Sequence, residues 1–499
     1  MSFADGRRRR QVVPRWRPWW VTARLGLADS GAGSRIVGTP DTATIDRRRE
    51  EWLENHDIPH AADLIGTAFG MGLGERVRDA AEFVLGTETG VPAPLLVLAK
   101  TIVNGDAQLP ASPIDIDHAG RHVRIHKLKN RLKNWPHDAI ACIDLAREYT
   151  IVGQRPNALK PVTVALALAP HSPFVVRSAA RFFLNCGDAE RALAVVRRTP
   201  GVSSDPWLLA AEIAIASAAE TSSRMVRAAR SMINRGHFAP RHLSELASAL
   251  ATVELESGNR RGARKLFAAA LQHPTENAVA QAEWVSSEIV ELDLRISEHA
   301  PERSYEARAL SSLGEGEWDA AVESAKLWRL DEPFAARSAY FGSWTAVVVS
   351  KDFSTALQFA EFGLSTKPED LLLLNNKVVA LALLDRPNEA ARTLGKIDAV
   401  RAAEKSEATY LATWGLVEYR SGRPETGRVF YQRARDAAKK SRNAREEAWT
   451  MLFQAREEQR FDRQRAHGLL VEARATIHRL RRREALVAER LLEIVAQPD

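Results

Sequence analysis

The sequence predicts an all-α protein built from stacked helix–turn–helix units, and three observations support this fold class. A glycine followed five residues later by a small residue recurs at intervals of about 34 residues. Apolar residues within each interval repeat at helical spacing, as in residues 174–183. The chain is also rich in alanine and poor in the alternating patterns that favour strands. A period of this size is typical of a solenoid of helical hairpins.

The stretch LNCGDAERAL, residues 184–193, defines the repeat. Gly187 and Ala192 follow Gly153 and Ala158 by 34 residues. A glycine at this point lets the chain leave a helix in a left-handed conformation, and a small residue lets two helices pack closely. Further units place a small residue at the corresponding position, namely Ala263, Ala321, Ala356, Ala390 and Gly427.

This layout resembles the tetratricopeptide repeat, a helical hairpin of about 34 residues. The unit that begins near residue 408 matches best, with Trp414 and Gly415 in the first helix, Gly422 at the turn, and Tyr431 and Ala434 in the second helix. Units beginning near residues 139, 173, 302, 337 and 371 match well, whereas those near 207, 242 and 442 are degenerate. The resemblance covers roughly residues 135–480 and implies a right-handed superhelical solenoid.

Composition divides the rest of the chain. We expect a disordered, Arg/Trp-rich basic tail at 1–45, a helical region of divergent repeats or a cap at 46–134, repeats at 135–275, an extra or lengthened helix at 276–301, repeats at 302–477 and a capping helix at 478–499. The formal net charge is +7, and residues 1–25 hold seven arginines against one aspartate, so the remainder is almost neutral. Any attraction to polyanions should therefore centre on the tail.

The sequence indicates a cytoplasmic protein. No apolar run is long enough to cross a membrane, and the basic N-terminus lacks the uninterrupted apolar core of a secretory signal. Two cysteines in 499 residues cannot form a disulfide framework. The Ala/Arg-rich composition is typical of a bacterial protein.

No stretch carries a strong catalytic, metal-binding or cofactor motif, so we expect neither enzymatic activity nor a cofactor. Cys142 and Cys186 fall inside the helical pattern and are expected to be buried, inert thiols. In HDIPH, residues 56–60, Pro59 favours a turn that starts a helix over a zinc motif. GTAFGMGLGER, residues 66–76, lacks the lysine of a phosphate loop and is interpreted as a turn between helices.

Two basic segments leave alternatives open. The tail contains Arg7, Arg8, Arg9 and Arg10 with Trp16, Trp19 and Trp20, side chains that could contact nucleic-acid phosphates and bases or a membrane interface. The other interpretations are a disordered extension and a short peptide that docks on a protein. Residues 124–136 form a predicted basic amphipathic helix with Ile125, Leu128 and Leu132 on one face. Its basic side is either solvated or contacts an acidic ligand or RNA.

The resemblance implies that the first helices of the units line a concave groove that binds a partner. The predicted groove residues are Arg147, Phe174, Arg177, Arg181, Asn185, Tyr419 and Arg420. The Lys/Asn arrangement that clamps a C-terminal carboxylate is replaced by Ile143, Arg147, Arg177 and Arg181, which could instead hold an acidic peptide or phosphate.

The predicted function is a non-enzymatic scaffold or adaptor that binds one or more protein partners in this groove, such as an effector encoded nearby. The alternative is an accessory or regulatory protein associated with nucleic acid, which would use the basic tail and the arginine patches. Salt distinguishes the two, because binding to a polyanion weakens steeply as salt rises.

Overall fold

The computed structural model describes residues 10–17, 43–70, 74–87, 91, 93–104, 118–236, 238–289, 292, 294, 296, 301 and 303–497. Within this part of the chain the structure contains 25 α-helices and two short 3-10 helices and no strand. The predicted all-α class is confirmed. Before the first repeat lie α1 (Ala43–Asn55), α2 (Ile58–Gly70), α3 (Arg78–Gly86), α4 (Ala93–Asn104) and α5 (His118–Asn134). The turn predicted at HDIPH separates α1 from α2.

Consecutive helices pack as antiparallel hairpins at the predicted positions. The packed pairs are α6 (Ala139–Ile151) with α7 (Arg155–Leu168), α8 (Pro173–Asn185) with α9 (Ala189–Arg198), α10 (Pro206–Ala218) with α11 (Val226–Arg235), α12 (Pro240–Glu256) with α13 (Arg260–Ala270), α17 (Ala336–Val349) with α18 (Phe353–Thr366), α19 (Leu371–Leu383) with α20 (Pro387–Leu394), α21 (Ala399–Arg420) with α22 (Pro424–Lys440), and α23 (Ala444–Glu458) with α24 (Arg463–Ile477). The remaining helices are α14 (Glu276–Glu288), α15 (Tyr305–Glu315), α16 (Trp318–Asp331) and α25 (Arg482–Ala496).

The turns between paired helices have the predicted left-handed backbone. The glycines that mark the repeat adopt positive φ angles of 75–84°, at Gly153, Gly187, Gly258, Gly316 and Gly422. Polar residues take this conformation in other units, as at Lys351 and Asp385 with φ of 54°. Asn and Asp residues then cap several of the second helices, and the Asp188 carboxylate accepts a hydrogen bond from the backbone N–H of Arg191 in this way.

The small residues lie where helices cross. Ala158, Ala192, Ala263, Ala321, Ala356 and Ala390 are all fully buried. A Cβ atom added at Gly427 would come within 2.5 Å of the Tyr419 ring, so this position has no room for alanine. Close packing of the helices therefore requires the repeated small residue.

The chain divides into two compact units. The N-terminal unit comprises Arg10–Ala307 with Leu330–Phe334, and the C-terminal unit comprises Arg308–Arg329 with the chain from Ala335 onward. In the N-terminal unit the first helices α6, α8, α10, α12 and α14 contact one another in succession. In the C-terminal unit α17, α19, α21, α23 and α25 do the same, and α25 also contacts α17.

In the C-terminal unit the first helices contact one another through side chains as well as through neighbouring backbone. The Arg490 Nε on α25 donates to the Val349 carbonyl oxygen at the end of α17, at 3.3 Å. The Trp344 and Trp449 rings meet edge to face, with centroids 5.7 Å apart, and join α17 to α23. Side chains of the unit therefore occupy part of the surface between these helices.

Two expectations differ from the structure. Cys142 is buried, and burial raises the pKa of its thiol to about 12, but Cys186 is exposed because it lies at the C-terminus of α8, beside the turn. Residues 10–17 of the tail expected to be disordered are packed against the N-terminal unit, and residues 1–9 and 18–42 lie outside the described residues. The composition of this segment suggests solvation, but buried carboxylates of the fold neutralise its arginines.

Candidate functional site

Residues 10–17, RQVVPRWR, form an extended segment without helix or strand that is enclosed by the N-terminal unit. We call it the N-terminal segment, and the side chains that contact it form the segment groove. Val12 and Trp16 are fully buried, and Arg10 and Arg17 are at most 5% exposed. The groove side chains come from the first helices of successive pairs, from α14 and α15, and from residues 331–334.

Three groove side chains bind the main chain of the segment. Gln281 Nε2 donates to the Arg10 carbonyl oxygen at 2.9 Å, and Asn277 Nδ2 donates to that of Val13 at 3.0 Å. Arg147 Nε donates to the Trp16 carbonyl oxygen at 3.1 Å. These bonds satisfy buried carbonyl groups that have no secondary-structure partner. Because these three contacts engage main-chain atoms, they do not depend on which side chains the segment carries.

Arg10 is bound at every nitrogen of its guanidinium. Its Nε and Nη2 atoms donate to the two carboxylate oxygens of Glu306, at 3.0 and 2.9 Å. Nη1 donates to Gln281 at 2.9 Å, and Nη2 also donates to Asn277 at 3.0 Å. A two-point arginine–carboxylate contact fixes both direction and distance, so this site is specific for arginine over lysine.

Arg15 and Arg17 meet an acidic cluster. Arg15 lies 2.8 Å from a carboxylate oxygen of Glu306 and 3.5 Å from one of Glu332. Arg17 binds Glu276 at 2.8 Å and Asp331 at 2.6 Å. All of these side chains are less than 10% exposed. Unpaired charges at this depth would cost several kcal/mol each, so the segment and the cluster depend on each other.

Trp16 and Val12 anchor the segment by apolar contact. The Trp16 ring lies between the rings of Phe182 and Phe334, with centroid distances of 6.1 and 5.4 Å. Among the described residues its indole N–H has no hydrogen-bond partner. Val12 belongs to the apolar cluster that includes Leu209 and Leu250 of α10 and α12. The segment is therefore bound through both charge and shape.

The electrostatics of the groove depend on the segment. Burial alone would raise the pKa of Glu276, but Arg17 and Arg15 outweigh it and lower the pKa to about 2. Burial alone would lower the pKa of Arg15 and of Arg17, and the facing carboxylates raise both instead. Asp331 keeps a raised pKa, since its burial exceeds the attraction of the same two arginines.

The predicted groove residues of the N-terminal unit lie at different distances from the segment. Arg147 binds it directly, and burial lowers the pKa of Arg147 to about 10. The Arg181 guanidinium lies 5.4 Å from the centroid of Phe334, the ring that packs on Trp16, and burial lowers its pKa. Arg177 donates to Glu245 at 2.7 Å and covers the Trp207 ring, beside the groove.

The other predicted groove residues serve packing. Phe174 packs against the apolar core of α1–α4. Asn185 is buried at the end of α8, and its Nδ2 atom has no hydrogen-bond partner among the described residues. Tyr419 is 2% exposed, and its hydroxyl donates to Glu458 at 2.6 Å, so it offers no free surface. Arg420 binds Glu457 and Asp385 within the C-terminal unit.

The predicted contact between the tail and nucleic acid does not fit the described tail residues. Arg10 and Trp16 are buried, and protein carboxylates, amides and aromatic rings already occupy their binding surfaces. A phosphate would have to displace Glu306, and a base would have to displace Phe182 and Phe334. Arg7, Arg8, Arg9, Trp19 and Trp20 lie outside the described residues.

The residues that bind the segment were not predicted from the sequence; they are Glu276, Asn277, Gln281, Glu306, Asp331 and Glu332. Three of them lie on α14, a helix that interrupts the regular spacing and was assigned no groove face. The available signal was the imbalance of charge: a strongly basic tail precedes an almost neutral body, so acids in the body could pair with it.

The basic amphipathic helix is α5, which extends from His118 to Asn134. Ile125 is buried, and Leu128 and Leu132 are half-buried, as predicted for its apolar face. Arg121 and Arg124 pair with Glu148, whereas Lys127 and Lys129 are exposed. Among the described residues there is no cluster of three or more possible metal ligands and no helix that could span a membrane.

No family model matches the chain. No curated protein matches it either. Among solved structures it is similar to a human IFIT1 dimer with PPP-AAAA, with a TM-score of 0.34 and 11% identity, covering 92% of this chain and 96% of that one. It is also similar to the APC/C hetero-tetramer Cut9–Hcn1, with a TM-score of 0.34 and 12% sequence identity, covering 96% of each chain. For yeast Tom70 the TM-score is 0.29 and the sequence identity 14%, covering 75% of this chain and 93% of that one.

Proposed function

We propose that this protein is a non-enzymatic interaction scaffold whose N-terminal unit binds an extended segment of a partner protein. The observation that carries this proposal is the N-terminal segment itself, held along the first helices in the manner of a bound peptide. Three of its carbonyl groups accept hydrogen bonds from groove side chains. Such main-chain recognition suits an unfolded segment of a protein, because each of its residues supplies a carbonyl group.

The N-terminal unit is a better candidate for this role than the C-terminal unit. In the C-terminal unit the first helices contact one another from α17 to α25, and the Trp344 and Trp449 rings meet between two of them. In the N-terminal unit the corresponding surface encloses a separate stretch of chain. A surface that accommodates one extended peptide has the width and the hydrogen-bond donors to accommodate another.

Affinity capture from the native host tests the proposal. We compare the chain carrying Trp16→Ala, which weakens docking of the N-terminal segment, with the same chain carrying also Asn277→Ala and Gln281→Ala, which removes two of the three main-chain contacts of the groove. The matched control is Asn388→Ala, Gln432→Ala, which removes two exposed amides of the C-terminal unit. We expect a protein partner that is retained by the control, lost in the groove variant and unaffected by nuclease.

Two results would contradict the proposal. Partners captured equally by both variants would place the binding surface elsewhere. Capture that disappears on nuclease treatment, and falls steeply with salt, would favour the nucleic-acid alternative. Circular dichroism of both variants ensures that the comparison is made between folded proteins.

A further inference from the structure

We propose that the segment groove is specific for a basic extended peptide with the pattern Arg-x4-Arg-Trp-Arg, and that the chain's own residues 10–17 compete with such a partner for the groove. This inference rests on the proposed function and adds the chemistry of the partner and the means of its control. In the internally bound state the groove is closed to the partner until the segment leaves.

The acidity of the groove selects a basic ligand. Glu276, Glu306, Asp331 and Glu332 converge on two stretches of the segment, around Arg10 and around Arg15–Arg17. A ligand without positive charge would remove the arginine that pairs with the buried carboxylates of Glu276 and Asp331, which is strongly unfavourable. A phosphate backbone would add like charge to them. A protein segment with arginines at matching positions supplies positive charge to the carboxylates and brings no phosphate charge.

The spacing of the sites defines the pattern. The first arginine site uses both oxygens of Glu306, together with the side-chain amides of Gln281 and Asn277. The second and third arginine sites share Asp331, at 3.7 Å from Arg15 and 2.6 Å from Arg17. The aromatic site between them takes a ring the size of tryptophan, bounded by Phe182 and Phe334.

The segment is suited to leave without unfolding the helices around it. It contains no helix or strand of its own, and side chains of the groove form the three main-chain contacts described above. Departure therefore breaks no ladder of backbone hydrogen bonds. A ligand attached to its own receptor acts at an effective concentration of the order of millimolar, so even a moderate intramolecular affinity excludes a dilute partner.

The experiment measures binding of a labelled synthetic peptide of residues 8–18 by fluorescence anisotropy. The receptors are the full chain, the chain lacking residues 1–17, and the full chain with Arg10→Glu, Arg15→Glu and Arg17→Glu. The control carries Arg198→Glu, Arg261→Glu and Lys265→Glu, three exposed cations of the same unit. We expect the truncated chain and the segment variant to bind the peptide at least about tenfold more tightly than the full chain and the control.

A peptide of the same composition in scrambled order should bind none of the receptors tightly. Equal binding of the ordered peptide by the full and truncated chains would overturn the competition. Failure of folded, truncated protein to bind it, or equal binding of the scrambled peptide, would overturn the specificity. A dimer of the full chain that disappears on truncation would show that a second copy supplies the segment, and would also contradict the intramolecular arrangement.

Loss of folding is distinguished from loss of binding. Helical circular dichroism and thermal unfolding are measured for each receptor, and Trp16→Ala provides a release variant that keeps every arginine. If no release variant folds, the segment is a permanent part of the structure and the proposal is wrong. Because the probe is a defined peptide, this result is independent of whether partner capture succeeds.

Discussion

Replacement of Trp16 by alanine should release the N-terminal segment while leaving its charges intact. The ring is fully buried between Phe182 and Phe334. A buried tryptophan removes about 150–250 Å² of surface from water, which corresponds to roughly 4–6 kcal/mol. The indole N–H, which has no partner among the described residues, offsets about 1–3 kcal/mol of this gain. The difference is about 1–5 kcal/mol, and we take the centre of this range, about 2–4 kcal/mol, as the expected loss of docking free energy.

Trypsin cleavage after Arg10 reports this loss. The bond between Arg10 and Gln11 is buried in the docked state, and its sequence is the same in both proteins. Cleavage follows the population of the released state when docking is fast relative to proteolysis. A loss of about 2–4 kcal/mol should accelerate cleavage by roughly 30- to 1,000-fold, up to the rate of a free peptide.

Trp16→Phe is the control for the alanine variant. Phenylalanine keeps an aromatic ring against the two phenylalanines; it loses some buried area and also removes the unpaired N–H, and these opposing effects should keep the change in cleavage below about fivefold. Cleavage of the alanine variant at Arg10 as slowly as the wild type would refute the role of the Trp16 ring in docking. Cleavage of the phenylalanine variant as fast as the alanine variant would also refute it, because an aromatic ring would then contribute nothing to docking.

Three further predictions concern packing and pH. Gly427→Ala should cost about 1–3 kcal/mol in thermal unfolding, because its Cβ would clash with Tyr419, whereas Gly468→Ala, in open space within α24, should stabilise by about 0.5–1 kcal/mol. Burial raises the pKa of Asp144 to about 6, so its ionisation destabilises the fold as pH rises from about 4 through 6. Asp144→Asn should therefore increase the free energy of unfolding by roughly 1–2 kcal/mol near pH 8 and raise the melting temperature there. Near pH 4 the substitution should leave the melting temperature unchanged. Glu276, with its pKa lowered to about 2, stabilises the fold above about pH 4.5, so the difference in melting temperature between Glu276→Gln and the wild type should shrink from pH 6 to pH 3.

The helical repeat could be predicted from the sequence because its causes are local. Gly187 turns the chain and Ala192 permits close packing whatever lies elsewhere in the protein. The same logic predicted the second helices. It failed for Cys186, which lies at the C-cap position just after the last residue of α8 and is exposed.

The groove could be predicted only in part. Arg147 was identified from the repeat and does bind the segment, through the Trp16 carbonyl. Tyr419 was identified by the same rule and is buried in the C-terminal unit. The rule gives a position within a hairpin, but whether that position faces a ligand depends on how neighbouring helices close around it.

The sequence by itself determined the fold class, the length of the repeat and the positions of most helices, because helical periodicity, turns and small crossing residues act over a few residues. Only the tertiary structure decided the place of residues 10–17. Arg10 and Glu306 are separated by 296 positions, and nothing local links them. Taken alone, an arginine-rich stretch favours solvent. It is buried here because the fold brings together acids and aromatic rings from distant helices, and their combined attraction outweighs the cost of removing three arginines from water.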